Sequence, residues 1–188
     1  MRPVMSDAAT PLDGRTVGIF LAPAGSEEIE FVEPRDAITD AGATVDVLGI
    51  KSGEGQTVNK DLEESESYAI DTTFDDADPD DYDGLVVPGG TVGVDKLRAD
   101  EGAVGFLREH VEGGKPAGVI CHGPWVLVEA GVVDGRRLTS YPSLQTDVRN
   151  AGGEWVDEAV VVDDGLVTSR GPDDIEAFCE TIVEEFGE

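Results

Sequence analysis

Basic residues are scarce in this chain. Thirteen Lys and Arg stand against 41 Asp and Glu over 188 residues, a formal net charge of -28, and only four of the thirteen are lysine. That balance excludes nucleic acid and anionic membranes as partners, because a phosphate-rich surface binds clustered cations and repels clustered acids. Long apolar runs are missing as well: none approaches the roughly 18 residues that span a bilayer, so the chain reads as soluble. The opening stretch, "MRPVMSDAATPLDGR", lacks the apolar core of a secretory signal and reads as a flexible extension over residues 1–14, which makes the cytoplasm the expected location. Cysteine is nearly absent. Two thiols cannot form a disulfide framework, and in a reducing compartment both are expected to be free.

Acid, by contrast, is abundant, and it interleaves with apolar periodic segments instead of displacing them. It therefore coats a folded surface and does not signal disorder. A coat so acidic and so poor in lysine suits concentrated salt, where counterions screen its self-repulsion, and a salt-loaded cytoplasm is the expectation.

Residues 15–188 are expected to form one domain, long enough to bury a sizeable core. "RTVGIFLA" (15–22) and "ATVDVLGI" (43–50) are short apolar runs separated by a helical-period stretch in which Ile29, Val32, Ala37, Ile38 and Ala41 recur before Gly42. "YDGLVVPGG" supplies a third strand stopped by Pro88 and two glycines; Val104, Leu107 and Val111 mark a helix; "PAGVI" is a fourth strand. Short apolar strands alternating with helices predict an α/β fold with a mostly parallel central sheet covered on both faces. "AVVVDDGLVTS" predicts a hairpin turning at Asp164 and Gly165. The closing helix carries an apolar stripe of Ile175, Phe178, Cys179, Ile182, Val183 and Phe186, in which Cys179 is expected to be an inert packing residue. Between residues 53 and 83 only Tyr68 to Phe74 reads as a possible strand. His110, in "FLREHVEGG", reads as an exposed helix residue.

The other cysteine stands in "AGVICHGPWVLVEAG", between the fourth strand and a helix expected to begin near Pro124. Cys121 is thereby placed at a sharp strand-to-helix turn on the carboxyl edge of the sheet, where open α/β sheets bind ligands. Gly123 permits the turn and Pro124 suits a first helical position, half of a nucleophile elbow, since Val119 occupies the place of the usual preceding glycine. The helix start favours a thiolate by about 0.3 to 1 kcal/mol, and by up to ~2 when partly buried, which brings a thiol of ordinary pKa down to roughly 7 to 8. A polar neighbour must stabilise the sulfur further. His122 is one candidate; a carboxylic acid kept neutral by burial or by a shared proton is another. "PAGSEEIEFVEP" follows the first strand and opens onto the same edge, so Glu27, Glu28 or Glu30 can supply that acid. The backbone amides of "PGG", with that of His122, can hold an oxyanion. Asp95, in "TVGVDKLRAD", reads by itself as a helix cap or surface charge.

These residues resemble the ThiJ/PfpI family of stress proteins, deglycases and PfpI-type intracellular proteases, within the class I glutamine amidotransferase-like folds. The resemblance runs from Arg15 to Phe186 and rests on "EEIEFVEPRDAITDAGATV", "LVVPGGTVGVDKLR" and "ICHGPWVLVEAG" in that order. It implies a flavodoxin-like three-layer sandwich. It also implies that Cys121 is the nucleophile, His122 the base, Glu30 the carboxyl group on the sulfur, and Gly90 with His122 the oxyanion hole. Asp95 matches the acid that orients the histidine of a neighbouring subunit, although four residues separate it from "PGG" where the pattern has three, and Tyr141 matches a pocket-lining residue. A homo-oligomer, dimer or hexamer, is implied, with no metal or organic cofactor. The main expectation is a cysteine-dependent stress-response hydrolase of PfpI type, acting on peptides. A deglycase or glutathione-independent glyoxalase, acting on a glycated substrate or small aldehyde, is the alternative. A redox-sensing or chaperone-like stress protein without enzymatic activity is the third.

Overall fold

A computed structural model of the chain describes residues 10–188. In chain order the elements are β1 (Thr16–Phe20), β2 (Ala24–Glu27), α1 (Glu28–Asp40), β3 (Thr44–Gly49), β4 (Glu54–Asn59), β5 (Glu63–Ala69), β6 (Thr72–Thr73) and β7 (Gly84–Val87). They continue with α2 (Thr91–Arg98), α3 (Glu101–Glu112), β8 (Ala117–Ile120), α4 (Pro124–Ala130), β9 (Arg137–Leu138), α5 (Gln145–Asn150), β10 (Glu154–Trp155), β11 (Val160–Asp163), β12 (Leu166–Ser169) and α6 (Ile175–Gly187). The central sheet has seven strands in the order β11-β12-β8-β7-β1-β3-β6, all parallel except the hairpin of β11 with β12. Numbered along the chain, its five main parallel strands lie in the spatial order 2-1-3-4-5, the flavodoxin arrangement.

Strands β7, β8 and β12 are buried along their whole length, as strands covered on both faces must be. Successive residues feed opposite layers. Leu85 and Val87 join the core beneath α3 and α4, whereas Val86 joins the core with Phe31, Ile38, Phe178 and Ile182 from α1 and α6. The result is a three-layer sandwich. Among the described residues no helix is long and apolar enough to cross a membrane.

Several expectations need correction. Of the expected flexible extension, residues 1–9 lie outside the described residues, and within residues 10–14 Leu12 is anchored: it is fully buried in the α1/α6 core and its N–H donates to Ala41 O at 2.9 Å, while its neighbours are exposed. The stretch 53–83 holds β4, β5 and β6, and β2, β4 and β5 form a separate three-stranded sheet. Strand β5, "EESESYA", has no apolar face to betray it. It is held instead by polar clamps, with Glu28 Oε2 accepting from Ser65 Oγ, Thr57 Oγ1 and Glu66 N.

His110 is not exposed. Its side chain is buried against the start of β8, where Nε2 hydrogen-bonds Pro116 O at 2.8 Å, and burial pushes its pKa down to about 4. Because the unfolded chain binds that proton near the ordinary value of 6.5, the folded state loses stability as pH falls from about 6.5 to 4. Replacing the group with His110→Gln is expected to flatten that limb of the stability curve by up to about 3 kcal/mol, as read by urea unfolding at pH 4 and 7.

Candidate active site

Three backbone junctions on the carboxyl edge of the sheet build the site. The first is the turn from β8 into α4. Cys121 takes φ +63°, a left-handed conformation that costs a residue with a side chain about 1–2 kcal/mol. Hydrogen bonds hold it there. Cys121 N donates to Ser169 O at 3.0 Å, Tyr141 N donates to Cys121 O at 2.8 Å, and Gly123 N donates to Ile120 O at 2.9 Å. Pro124 then opens α4, where its missing N–H is no loss.

The second junction is "PGG", from β7 into α2. A Cβ on Gly89 would overlap Glu30 Oε1 and lie 2.6 Å from Cys121 Cβ, and Gly90 sits at φ +97° with its missing Cβ directed at Gly25 O. Only glycine lets this loop pack so closely against both the acid and the thiol. The backbone amides of Gly90 and His122 face the Cys121 sulfur and act to lower its pKa, at the place where the sequence expects an oxyanion hole. Gly89→Ala is expected to displace the carboxyl and cut kcat by about 100-fold, the usual cost of ~1 Å misplacement at a reacting group, with expression and secondary structure retained.

The third junction is the first turn of α1, and it decides among the three candidate acids. Glu27 turns away to bind the backbone of Lys60 and Asp61, Glu28 clamps β4 to β5, and Glu30 alone enters the site. Glu30 is fully buried, on the helix face it shares with Phe31, Pro34 and Ile38. Its Oε1 accepts from Gly89 N at 3.0 Å; Oε2 has no partner, and the Cys121 side chain is the polar group beside it. Burial, reinforced by the neighbouring Glu27 carboxylate, pushes the Glu30 pKa up to about 8, so at pH 7 the group is mostly protonated.

The sulfur differs from the sequence expectation. Burial, followed by the charge of an ionised Glu30, pushes the Cys121 thiol up, and the two backbone amides only partly offset this. At rest Cys121 is therefore a thiol, not the thiolate that a helix start alone would favour. A base is at hand. His122 Nδ1 lies 3.2 Å from Cys121 Sγ, and burial lowers the His122 pKa, leaving the ring neutral at pH 7. Tyr141 stacks on that ring at 4.6 Å between centroids, and Trp125 meets it edge-on at 5.2 Å. Tyr141 also borders an open cavity of about 360 Å³ with Arg170, Asp157 and Asp174.

The sequence reading missed two residues here. On the far side of His122, Nε2 lies 3.3 Å from Thr91 Oγ1, which in turn meets Asp61 Oδ2 at 3.2 Å. Asp95 is exposed on α2, and within one chain Thr91 meets the histidine in its place. Thr91 carries a signal in hindsight, as the first helical residue after "PGG"; Asp61 is hidden in the acidic run "NKDLEESES". The other cysteine, Cys179, is half-buried on α6, and burial raises its pKa to about 12.

The model of the DJ-1/PfpI family matches residues 15–185. The chain belongs to that family. It is 39% identical to a deglycase of Thermococcus kodakarensis over 170 residues, covering 88% of this chain and 96% of the relative. It is 44% identical to protein/nucleic acid deglycase 2 of Escherichia coli over 153 residues, covering 81% and 87%. Among solved structures, DJ-1beta of Drosophila melanogaster superposes with a TM-score of 0.82 at 34% identity, covering 92% of this chain and 90% of that one. The fold expected from the sequence, an α/β sandwich of this family, is the one observed.

Proposed function

We propose that this member of the DJ-1/PfpI family is a cysteine-dependent deglycase acting on the early adducts that 2-oxoaldehydes form with amines and thiols. The observation that carries the reading is the Cys121 sulfur at a left-handed elbow, with a neutral imidazole nitrogen 3.2 Å away and a protonated carboxyl beside it. The names of the two deglycase relatives support it. Narrow access favours it over a peptidase, because Cys121 and His122 are only 7% and 5% exposed. A three-carbon adduct reaches such a sulfur more readily than an extended peptide does.

In the proposed cycle the thiol proton passes to His122 Nδ1 as the sulfur attacks the carbinol carbon of the adduct. An S–C bond forms, the C–N bond to the glycated amine breaks, and His122 returns the proton to the departing amine. The hemithioacetal left on Cys121 then isomerises to a thioester. Its carbinol carbon loses a proton and is oxidised, the adjacent carbonyl carbon gains one and is reduced, and Glu30 with His122 carries the protons. Water cleaves the thioester to a 2-hydroxy acid and the free thiol. The amides of Gly90 and His122 hold the developing oxyanion. Oligomerisation belongs to the same proposal, with Asp95 left exposed for contact with a neighbouring subunit.

The test offers the purified chain N-acetyl-lysine and N-acetylcysteine treated with methylglyoxal, and in parallel a fluorogenic peptide, in molar and in dilute salt. Release of free amine or thiol together with lactate supports the reading. Peptide cleavage without lactate formation overturns it.

A further inference from the structure

His122 is useful as a base only if its neutral ring leaves Nδ1 bare, and the groups behind it decide that. The chain of contacts runs from Cys121 Sγ to His122 Nδ1 at 3.2 Å, from His122 Nε2 to Thr91 Oγ1 at 3.3 Å, and from Thr91 Oγ1 to Asp61 Oδ2 at 3.2 Å. An ionised carboxylate only accepts hydrogen bonds, and a hydroxyl has a single proton to give. Thr91 therefore donates to Asp61, its oxygen is left to accept, and His122 Nε2 must carry the ring proton. Nδ1 is then the unprotonated nitrogen, turned toward the thiol.

Asp61 is built for this role. Its Oδ1 accepts Thr91 N at 2.8 Å, so one carboxylate fixes both the backbone and the hydroxyl of Thr91 at the start of α2. Asp61 and its neighbour Lys60 both sit in the left-handed region, at φ 65° and 52°, a pair of conformations that side chains other than glycine adopt only under constraint. The constraint is Glu27: its two oxygens accept Lys60 N at 2.6 Å and Asp61 N at 3.0 Å, and the Glu27 side chain is buried. Asp61 is the charged group that acts on His122, whose other neighbours are the Cys121 sulfur and the rings of Tyr141 and Trp125.

We propose that Asp61, acting through Thr91 and held in place by Glu27, fixes His122 in the tautomer that presents Nδ1 as a base to Cys121, so that each chain supplies its own orienting acid. Asp61 and Thr91 are positioning residues, since both act on the sulfur through His122. The inference rests on the reading of His122 as the base in the proposed function. Its tests need no substrate, so the two can fail separately.

Two measurements on the full chain decide it. Nitrogen-15 NMR of the unmodified protein above the His122 pKa, with His110→Gln used to assign the second ring, is expected to show His122 protonated on Nε2. A proton on Nδ1 in the unmodified protein overturns the inference. The second measurement is the rate of iodoacetamide alkylation of Cys121 against pH, in a Cys179→Ala background. Thr91→Val and Asp61→Asn are each expected to slow alkylation at pH 7.5 about tenfold, and Asp61→Asn also moves the histidine-dependent limb to lower pH. Thr91→Ser, which keeps the hydroxyl, is expected to stay within about twofold of the parent. Alkylation of a folded Thr91→Val protein at the parent rate, with the parent's pH profile, overturns the inference. If tautomer and alkylation behave as expected while no adduct is turned over, the deglycase reading fails and the role of Asp61 stands.

Discussion

Cys121→Ala is expected to abolish release of amine and lactate from methylglyoxal adducts, lowering kcat by about 10⁴-fold or more, because the substitution removes the atom that forms the covalent intermediate. The fold is expected to survive, since Ala keeps the Cβ and the elbow is held by backbone bonds from Ser169, Tyr141 and Gly123 that do not involve the sulfur. Cys179→Ala, on the far helix, is expected to leave turnover within about twofold of the parent. The pair of variants separates a chemical role for one thiol from a general effect of losing cysteine. Turnover that persists in Cys121→Ala removes the sulfur from the mechanism.

Glu30→Gln is expected to lose turnover and gain stability at the same time. The glutamine oxygen can still accept from Gly89 N and its amide can still donate toward the sulfur, but it cannot carry a proton, so kcat should fall by about 10² to 10³-fold, the usual contribution of a general acid or base. The stability effect follows from the shift of Glu30 from the ordinary 4.5 up to about 8. Across that interval the folded state binds a proton that the unfolded state has released, so the parent loses stability as pH rises from about 4.5 to 8. Glutamine has no such dependence. Its advantage over the parent is expected to grow through this window to several kcal/mol, with about 5 as an upper bound, measured by urea unfolding at pH 5, 7 and 9. Parallel stability curves contradict a buried, protonated Glu30. In the parent enzyme, turnover is expected to decline above about pH 8, where ionised Glu30 sets a negative charge against the sulfur.

The parts of the fold legible in the sequence are those whose burial is written in apolar runs. Strands β7 and β8 are short, apolar and closed by Pro88 or Cys121, and their ends locate the carboxyl edge and hence the site. The small sheet of β2, β4 and β5 was illegible because its outer strand is acidic on both faces and its stability comes from Glu28 reaching Ser65, Thr57 and Glu66. Helix α1 shows a subtler failure. Its apolar residues suggest a stripe through Ile29 and Val32, whereas Ile29 is 37% exposed and the buried face runs through Glu30, Phe31, Pro34 and Ile38. A glutamate on that buried face is itself the sign of a functional acid, visible once the helix phase is set by Phe31 and Ile38. His110 misled for the converse reason, since a histidine among charged neighbours gives no hint that its ring turns inward to the carbonyl of Pro116, six residues on at the start of β8. The relay of Asp61 and Thr91 joins residues 30 positions apart through a turn stabilised by Glu27, a long-range arrangement with no local pattern.

At the centre of all this is a single proton on Glu30, held beside Cys121 at neutral pH so that the sulfur can gather charge without facing a second anion. Carbon-13 NMR titration of the Glu30 side-chain carboxyl, assigned by its absence in Glu30→Gln, measures that proton directly. A carboxyl that stays neutral through pH 7 and ionises near pH 8 is the expected result. One that ionises near 4.5, like an ordinary glutamate, contradicts it.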